Sequence, residues 1–148
     1  MPMGTGTGLS ASLEDYLEAI FHIVADKQVA RAKDIARRLG VTRPSVTVAL
    51  RALAERDLIN YTPYEVITLT AEGKRVSEDV AGRHRTLRDF FVKVLSVGHN
   101  SADKAACDME HALSSEILGP LTAFVDFVER CPHCLEEFRR EQAKTRQP

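Results

Sequence analysis

The stretch RAKDIARRLGVTRPSVTVALRALAERD, residues 31–57, leaves few ways to fold. Apolar residues recur at helical spacing on both sides of Gly40, and a glycine is the usual stop at a helix C-terminus. Thr42 then offers a hydroxyl cap, Pro44 is tolerated in the first turn that follows, and Val46, Leu50 and Leu53 form the inward side. The pattern predicts two short helices joined by a tight turn, a helix-turn-helix. Upstream, Ser12 is placed to cap a helix through LEDYLEAIFHIVA, whose apolar residues fall at 13, 16, 17, 20, 23 and 24. Downstream, LINYTPYEVITLT carries β-branched and aromatic residues around the turn signal Thr62-Pro63, which predicts a two-stranded hairpin. Three helices followed by a hairpin is the order of a winged helix.

The charge distribution gives that module a partner. The net charge is only −1, but residues 27–56 carry eight bases against Asp34 and Glu55, whereas residues 1–26 carry four acids and no Lys or Arg. A basic island in a mildly acidic chain points to a polyanion. Thr42, Arg43, Pro44, Ser45 and Thr47 stand at the start of the third helix, where short or fork-shaped donors reach base edges and phosphates. Arg31, Lys33, Arg37 and Arg38 are expected near phosphates. The chain is thus expected to bind double-stranded DNA.

Beyond Thr70 a long helix is predicted through EGKRVSEDVAGRHRTLRDFFVKVL, with Val76, Val80, Leu87, Phe91 and Val94 in one stripe and Gly82 as a local weakness. After the turn signals at Gly98-His99-Asn100, the pattern predicts a helix over 101–118 and another over 120–129. Their apolar faces exceed what one small core needs, which predicts a two-fold dimer. The fold class is therefore mainly α: an N-terminal winged helix-turn-helix (10–72), an all-helical metal-binding and dimerisation domain (73–130), and a C-terminal tail helix (131–148). The opening MPMGTGTG resembles neither a signal peptide nor an anchor and no run is long enough to span a bilayer, so a cytoplasmic protein without a membrane partner is expected.

Residues 107–111, CDMEH, break the apolar pattern. On a helix Cys107 precedes Glu110 by three residues and His111 by four, so the three side chains converge on one side. Glu110 also stands where the stripe of Ala106, Leu113 and Ile117 calls for a hydrophobe, and His84 does the same between Val80 and Leu87. Buried Glu and His need partners, either a hydrogen bond within the core or a shared cation. Asp15 and Glu18, one turn apart on the first helix, are a solvated pair or two further ligands. Carboxylates, imidazoles and one thiolate suit Fe(II), Mn(II), Co(II) or Zn(II) better than Ca(II) or Mg(II).

EDYLE (14–18), RHRTL (83–87) and ACDMEHALS (106–114), in this order around a winged helix, resemble the metal-dependent repressors of the diphtheria toxin repressor and manganese transport regulator family. The resemblance runs from about Ser12 to Val128. It implies a homodimeric repressor of metal uptake genes, in which a divalent metal bound between the DNA-binding and dimerisation domains promotes binding to a palindromic operator. By position it implies metal ligands at Asp15, Glu18, His84, Cys107, Glu110 and His111. Acids at 15 and 18 resemble the manganese branch, and Cys107 resembles the iron branch. Thiolate softness favours Fe(II) over Mn(II), with Zn(II) or Co(II) able to bind in vitro. Arg88 stands where the iron branch has an acidic ancillary ligand, and Asp103, one turn before Cys107, is a weak substitute. The chain is built like the short members, which lack an SH3-like domain.

Other readings remain open at this stage. A winged-helix regulator sensing an organic ligand or oxidation of Cys107 fits the same modules. An enzyme using these ligands fits less well, because no base or substrate pocket is evident. Cys131 and Cys134, in CPHC, are read first as capping or packing residues, with a metal or redox pair as alternatives. The odd number of cysteines favours thiolate chemistry or burial over a disulfide framework.

Overall fold

A computed structural model describes residues 7–145 of the 148-residue chain. Most of the amino-terminal stretch read above as neither signal nor anchor, and the last three residues of the tail, lie outside the described residues. Two compact units divide between Ala81 and Gly82. The fold is mainly helical: a winged helix comes first and an all-helical unit follows.

The first unit holds α1 (Ala11–Lys27), α2 (Ala32–Leu39), α3 (Arg43–Ala54), β1 (Ile59–Asn60), β2 (Thr68–Leu69) and the opening turns of α4 (Ala71–Asp89). Ser10, not Ser12, caps α1; its hydroxyl accepts from the Leu13 amide at 3.3 Å. The earlier start follows Leu9, which is buried in the core and brings the chain in two residues sooner. The stop at Gly40 is as expected, in the left-handed region at φ 65°. Thr42 caps α3, accepting from the Ser45 amide at 3.4 Å, with Pro44 in the first turn. Leu17, Ile20, Ile35, Leu50, Leu53 and Ile67 are fully buried in the core. Burial of such side chains, at roughly 1.5–3 kcal/mol each, is what holds three short helices together. The wing is shorter than its sequence suggests, pairing only Ile59 with Leu69 and Asn60 with Thr68. A separate bridge between Ala30 and Ile67 ties the second wing strand to the loop after α1.

The second unit contains the end of α4, a π-helical turn over Phe90–Val94, α5 (His99–Met109), a 3-10 turn over Glu110–Ala112, α6 (Ser115–Glu129) and α7 (Pro132–Thr145). The helix expected over 101–118 is broken. Its last regular residue is Met109, and Leu113 and Ser114 are extended, with Ser114 at the N-cap position of α6. Pro120, expected to open a helix, sits inside α6 instead. As the sixth residue of the helix it removes the amide that would bond the Glu116 carbonyl and crowds that carbonyl, a local cost that α6 bears. The break carries Ile117 off the apolar stripe, and it is 55% exposed.

Lys93 in the π-helical turn reaches Glu129 of α6 at 2.5 Å and Asp89 at 2.9 Å. Those two acceptors, Glu129 first, hold its pKa above the ordinary lysine value. Phe90 meets Phe124 of α6 with ring centroids 6.3 Å apart, and Thr86 meets Thr122 at 3.1 Å. Cys131 and Cys134 form a disulfide across the start of α7, where packing or capping residues were expected. Three residues apart in a helical first turn, their Cα atoms lie 5.4 Å from each other, well inside disulfide range. Among the described residues no helix is long and apolar enough to cross a membrane.

Candidate metal centre

His84 on α4, Cys107 in the last turn of α5 and Glu110 at the start of the 3-10 turn offer one ligand atom each, all within 4.8 Å of one another. His84 Nδ1 lies 2.7 Å from Glu110 Oε2. The Glu110 side chain is fully buried, His84 is 22% exposed, and Cys107 is exposed. His111 adjoins, its Nε2 3.6 Å from Glu110 Oε1.

The geometry follows from the local chain. Spacing of three and four residues sets Cys107, Glu110 and His111 on one side, and the tightened 3-10 turn ends the helix there. The buried Arg83 braces the turn by donating from Nη1 to the Glu110 carbonyl at 3.1 Å. Glu110 thus brings a carboxyl group to a core position. A buried carboxylate costs several kcal/mol unless cationic or hydrogen-bonding partners surround it. The donor set, one sulfur with nitrogen and oxygen, fits a borderline divalent transition metal and suits neither Ca(II) nor Mg(II).

A second arrangement adjoins the outer edge of His84. Arg88 Nε lies 2.7 Å from Asp103 Oδ1, and its Nη2 lies 3.3 Å from His99 Nδ1. The same Asp103 oxygen is 3.5 Å from His84 Nε2. Asp103, the weak substitute ligand of the sequence reading, is thus engaged by an arginine.

Asp15 and Glu18 lie one turn apart on α1 in the first unit, and Glu18 Oε1 is 3.4 Å from His22 Nε2. Sequence reasoning passed over their neighbour Glu14, which is fully buried and accepts from the Thr7 hydroxyl at 2.5 Å. Its position three before Leu17 and seven before Phe21 was the available signal.

Most of the residues expected to meet DNA lie at the surface of the first unit. Arg31, Lys33, Arg37, Arg38, Thr42, Arg43, Pro44 and Ser45 are exposed, while Val46 between them is buried. Thr47 is half-buried, its hydroxyl donating to the Arg43 carbonyl at 3.2 Å. A cavity of about 380 Å³ opens between α3 and the wing, lined by Arg31, Lys33, Arg43, Arg51, Tyr61 and Tyr64 among others. Arg51, both tyrosines and the 67% exposed Val48 were not singled out from sequence. Lys27, by contrast, is taken up by Asp34 at 3.3 Å.

Comparisons with known proteins bear on both units. Residues 8–67 match the N-terminal DNA binding domain of iron dependent repressors. Residues 70–139 match the iron dependent repressor metal binding and dimerisation domain. An uncharacterized HTH-type transcriptional regulator of Methanocaldococcus jannaschii is 34% identical over 119 residues, 80% of this chain and 95% of that protein. The transcriptional regulator MntR of Escherichia coli O157:H7 is 36% identical over 112 residues, 76% of this chain and 72% of MntR. Among solved structures, a manganese-dependent transcriptional repressor in complex with manganese aligns with a TM-score of 0.70 at 29% identity. The alignment covers 78% of this chain and 53% of that one, so the chain spans about half the length of this solved relative.

Proposed function

Because the chain belongs to the diphtheria toxin repressor and manganese transport regulator family, we propose that it is a metal-responsive transcriptional repressor, gripping operator DNA as a homodimer when loaded with Fe(II) or Mn(II) and so controlling metal uptake genes. The observation that carries this reading is the packing of a thiol, an imidazole and a fully buried carboxylate within 4.8 Å in the helical unit. The donors proposed to hold the metal are Cys107 through sulfur, His84 and His111 through nitrogen, and Glu110, Asp15 and Glu18 through oxygen. The sulfur tilts the choice toward Fe(II), and Zn(II) or Co(II) would substitute in vitro.

When bound, the cation supplies the positive charge that lets these anionic donors share one point. Without it, the proposed anionic donors have no positive charge to offset them, and the two recognition helices of the dimer lose the spacing that adjacent major-groove half-sites require. Operator DNA selects the same arrangement, so DNA and metal tighten each other's binding. The proposed role of Thr42, Arg43, Pro44, Ser45 and Thr47 is to meet bases and the nearest phosphates, and that of Arg31, Lys33, Arg37 and Arg38 to meet the backbone. The exposed Phe124 and Phe127 of α6 support a second copy as the dimer partner.

Gel-shift titration of operator DNA with Fe(II), Mn(II), Zn(II) and Co(II), with chelator controls, tests the proposal. Binding that appears with metal and vanishes in chelator is the expected result; binding indifferent to both refutes it. In the loaded protein Arg43→Ala is expected to weaken operator binding by about 1–3 kcal/mol, because a fork-shaped donor is lost at the helix start. A salt titration identifies the contact: a base contact leaves the salt slope nearly unchanged, and a phosphate contact lowers it by about one.

A further inference from the structure

We infer that the Cys131–Cys134 pair is a thiol–disulfide exchange site, opened and closed by low-molecular-weight thiols and their disulfides, and so a reversible modification site on a different helix from the candidate metal ligands. The inference goes beyond the metal-responsive reading and does not depend on it.

A disulfide serves a fold in two main ways, and this one does neither. The first is to constrain the unfolded chain, a benefit that grows with the length of the loop closed. Cys131 and Cys134 are only three residues apart. The second is to cross-link within a core, but Cys131 is half-buried and Cys134 is exposed, as are Pro132 and His133 between them. Nor does the bond join elements that would otherwise part. Residues three apart in any α-helix have their Cα atoms about 5 Å from each other. Here the separation is 5.4 Å. The backbone that the bond needs is thus the one that the first turn of α7 supplies by itself, and the pair can open without moving the helix. An exposed disulfide of this kind belongs to the class that exchanges with free thiols.

Placement on α7 sets the direction of the exchange. The Leu135 amide donates to the Cys131 carbonyl at 3.3 Å, which puts Cys131 at the N-cap position of this 14-residue helix. A thiolate there meets the positive end of the helix and can accept from amides of the first turn, so Cys131 is the better leaving group. Cys134, the more exposed of the two, is the sulfur open to attack. A small thiolate forms a bond to Cys134 Sγ, the Cys131–Cys134 bond breaks, and its electron pair leaves on Cys131 Sγ. A second small thiolate attacks the first on the mixed disulfide, which frees Cys134 and yields the small disulfide. Two electrons reduce the pair, and the two protons of the small thiols end on the two cysteines. The small disulfide, acting as oxidant, closes the pair by the reverse steps.

The test uses oxidised full-length protein in millimolar reduced glutathione at neutral pH, quenched with an alkylating reagent and read by peptide mass spectrometry, which scores Cys131 and Cys134 separately from Cys107. The same protein unfolded in urea gives the rate for an unprotected disulfide. The folded protein is expected to open the pair within about tenfold of that rate, because the sulfurs are already exposed. Its circular dichroism should stay unchanged, and added oxidised glutathione should close the pair again. In the reduced protein, limiting iodoacetamide should label Cys131 before Cys134, and the reverse order overturns the direction assigned above. Cys131→Ser, which never has the bond, is expected to keep its helix content and to retain one glutathione on Cys134 after treatment with oxidised glutathione. A pair that opens only in urea, a loss of helix on opening or in Cys131→Ser, or a Cys134 that takes up no glutathione overturns the inference.

Discussion

Glu110→Gln is expected to lower Mn(II) affinity about a hundredfold or more, since it replaces a proposed ligand and even supporting residues around metal sites are worth 10–100-fold. Metal should then no longer restore operator binding in a gel shift. The substitution keeps the shape of the side chain and a hydrogen bond to His84 across the present 2.7 Å contact. It removes the charge from a fully buried position. Removing one charge from a buried polar network leaves the buried Arg83 and His84 with less compensation and costs stability. The metal response is therefore read, for each protein, as the change in its own melting temperature when Mn(II) is added. With Mn(II) at about 100 times its dissociation constant, wild type gains about 2.7 kcal/mol and the variant almost nothing. Scanning calorimetry with and without Mn(II) separates the two roles that Glu110 can have. A side chain serving only as a hydrogen-bond acceptor in the core would leave the metal-induced rise in melting temperature intact.

Those two roles were already open in the sequence, and the reason is instructive. Glu110 and His84 betray themselves by sitting where a stripe of Ala, Val and Leu demands a hydrophobe, a conflict that local sequence exposes because helical period is a strong signal. The helix-turn-helix was legible for a similar reason, since Gly40 and Thr42 each have one local task that the backbone at that point requires. What was not legible depends on competition between equivalent local signals. Ser10 and Ser12 are equally good caps, and burial of Leu9 decides between them. Pro120 is acceptable near any helix start, so the sequence alone misplaced the start of α6 by five residues. The pairing of Arg88 with Asp103 lies further out of reach, because it joins two helices through side chains that are each ordinary on a surface. The burial of Glu14 is not legible because its neighbours on the helix, Asp15 and Glu18, share its chemistry.

Gly73→Ala is expected to destabilise the winged unit by about 3 kcal/mol, the upper end of the usual range for overpacking a filled site. A Cβ at this position would lie 1.7 Å from the Leu58 carbonyl oxygen and 2.7 Å from its carbon. Both are backbone atoms and cannot rotate aside. The oxygen is also held in place, accepting from the Thr70 amide at 3.1 Å. Thr70 itself is fixed, donating to the Asp57 carbonyl at 2.6 Å and accepting from the Gly73 amide at 3.0 Å. Alanine gains about 1 kcal/mol over glycine in helix propensity, so propensity and sterics oppose each other here and the clash wins. Gly82, on the same helix, has nothing within 4 Å of its would-be Cβ, so Gly82→Ala should instead stabilise by up to about 1 kcal/mol. Urea denaturation of both variants sets one substitution against itself at two sites of α4. The expected signs are opposite, and a Gly73→Ala protein as stable as wild type would mean that α4 does not approach Leu58 this closely. The contact bears on function because Leu58 leads directly into β1, so whatever moves it moves the wing that borders the basic cavity. In the variant that still folds, operator affinity should therefore fall although no DNA-facing side chain has changed.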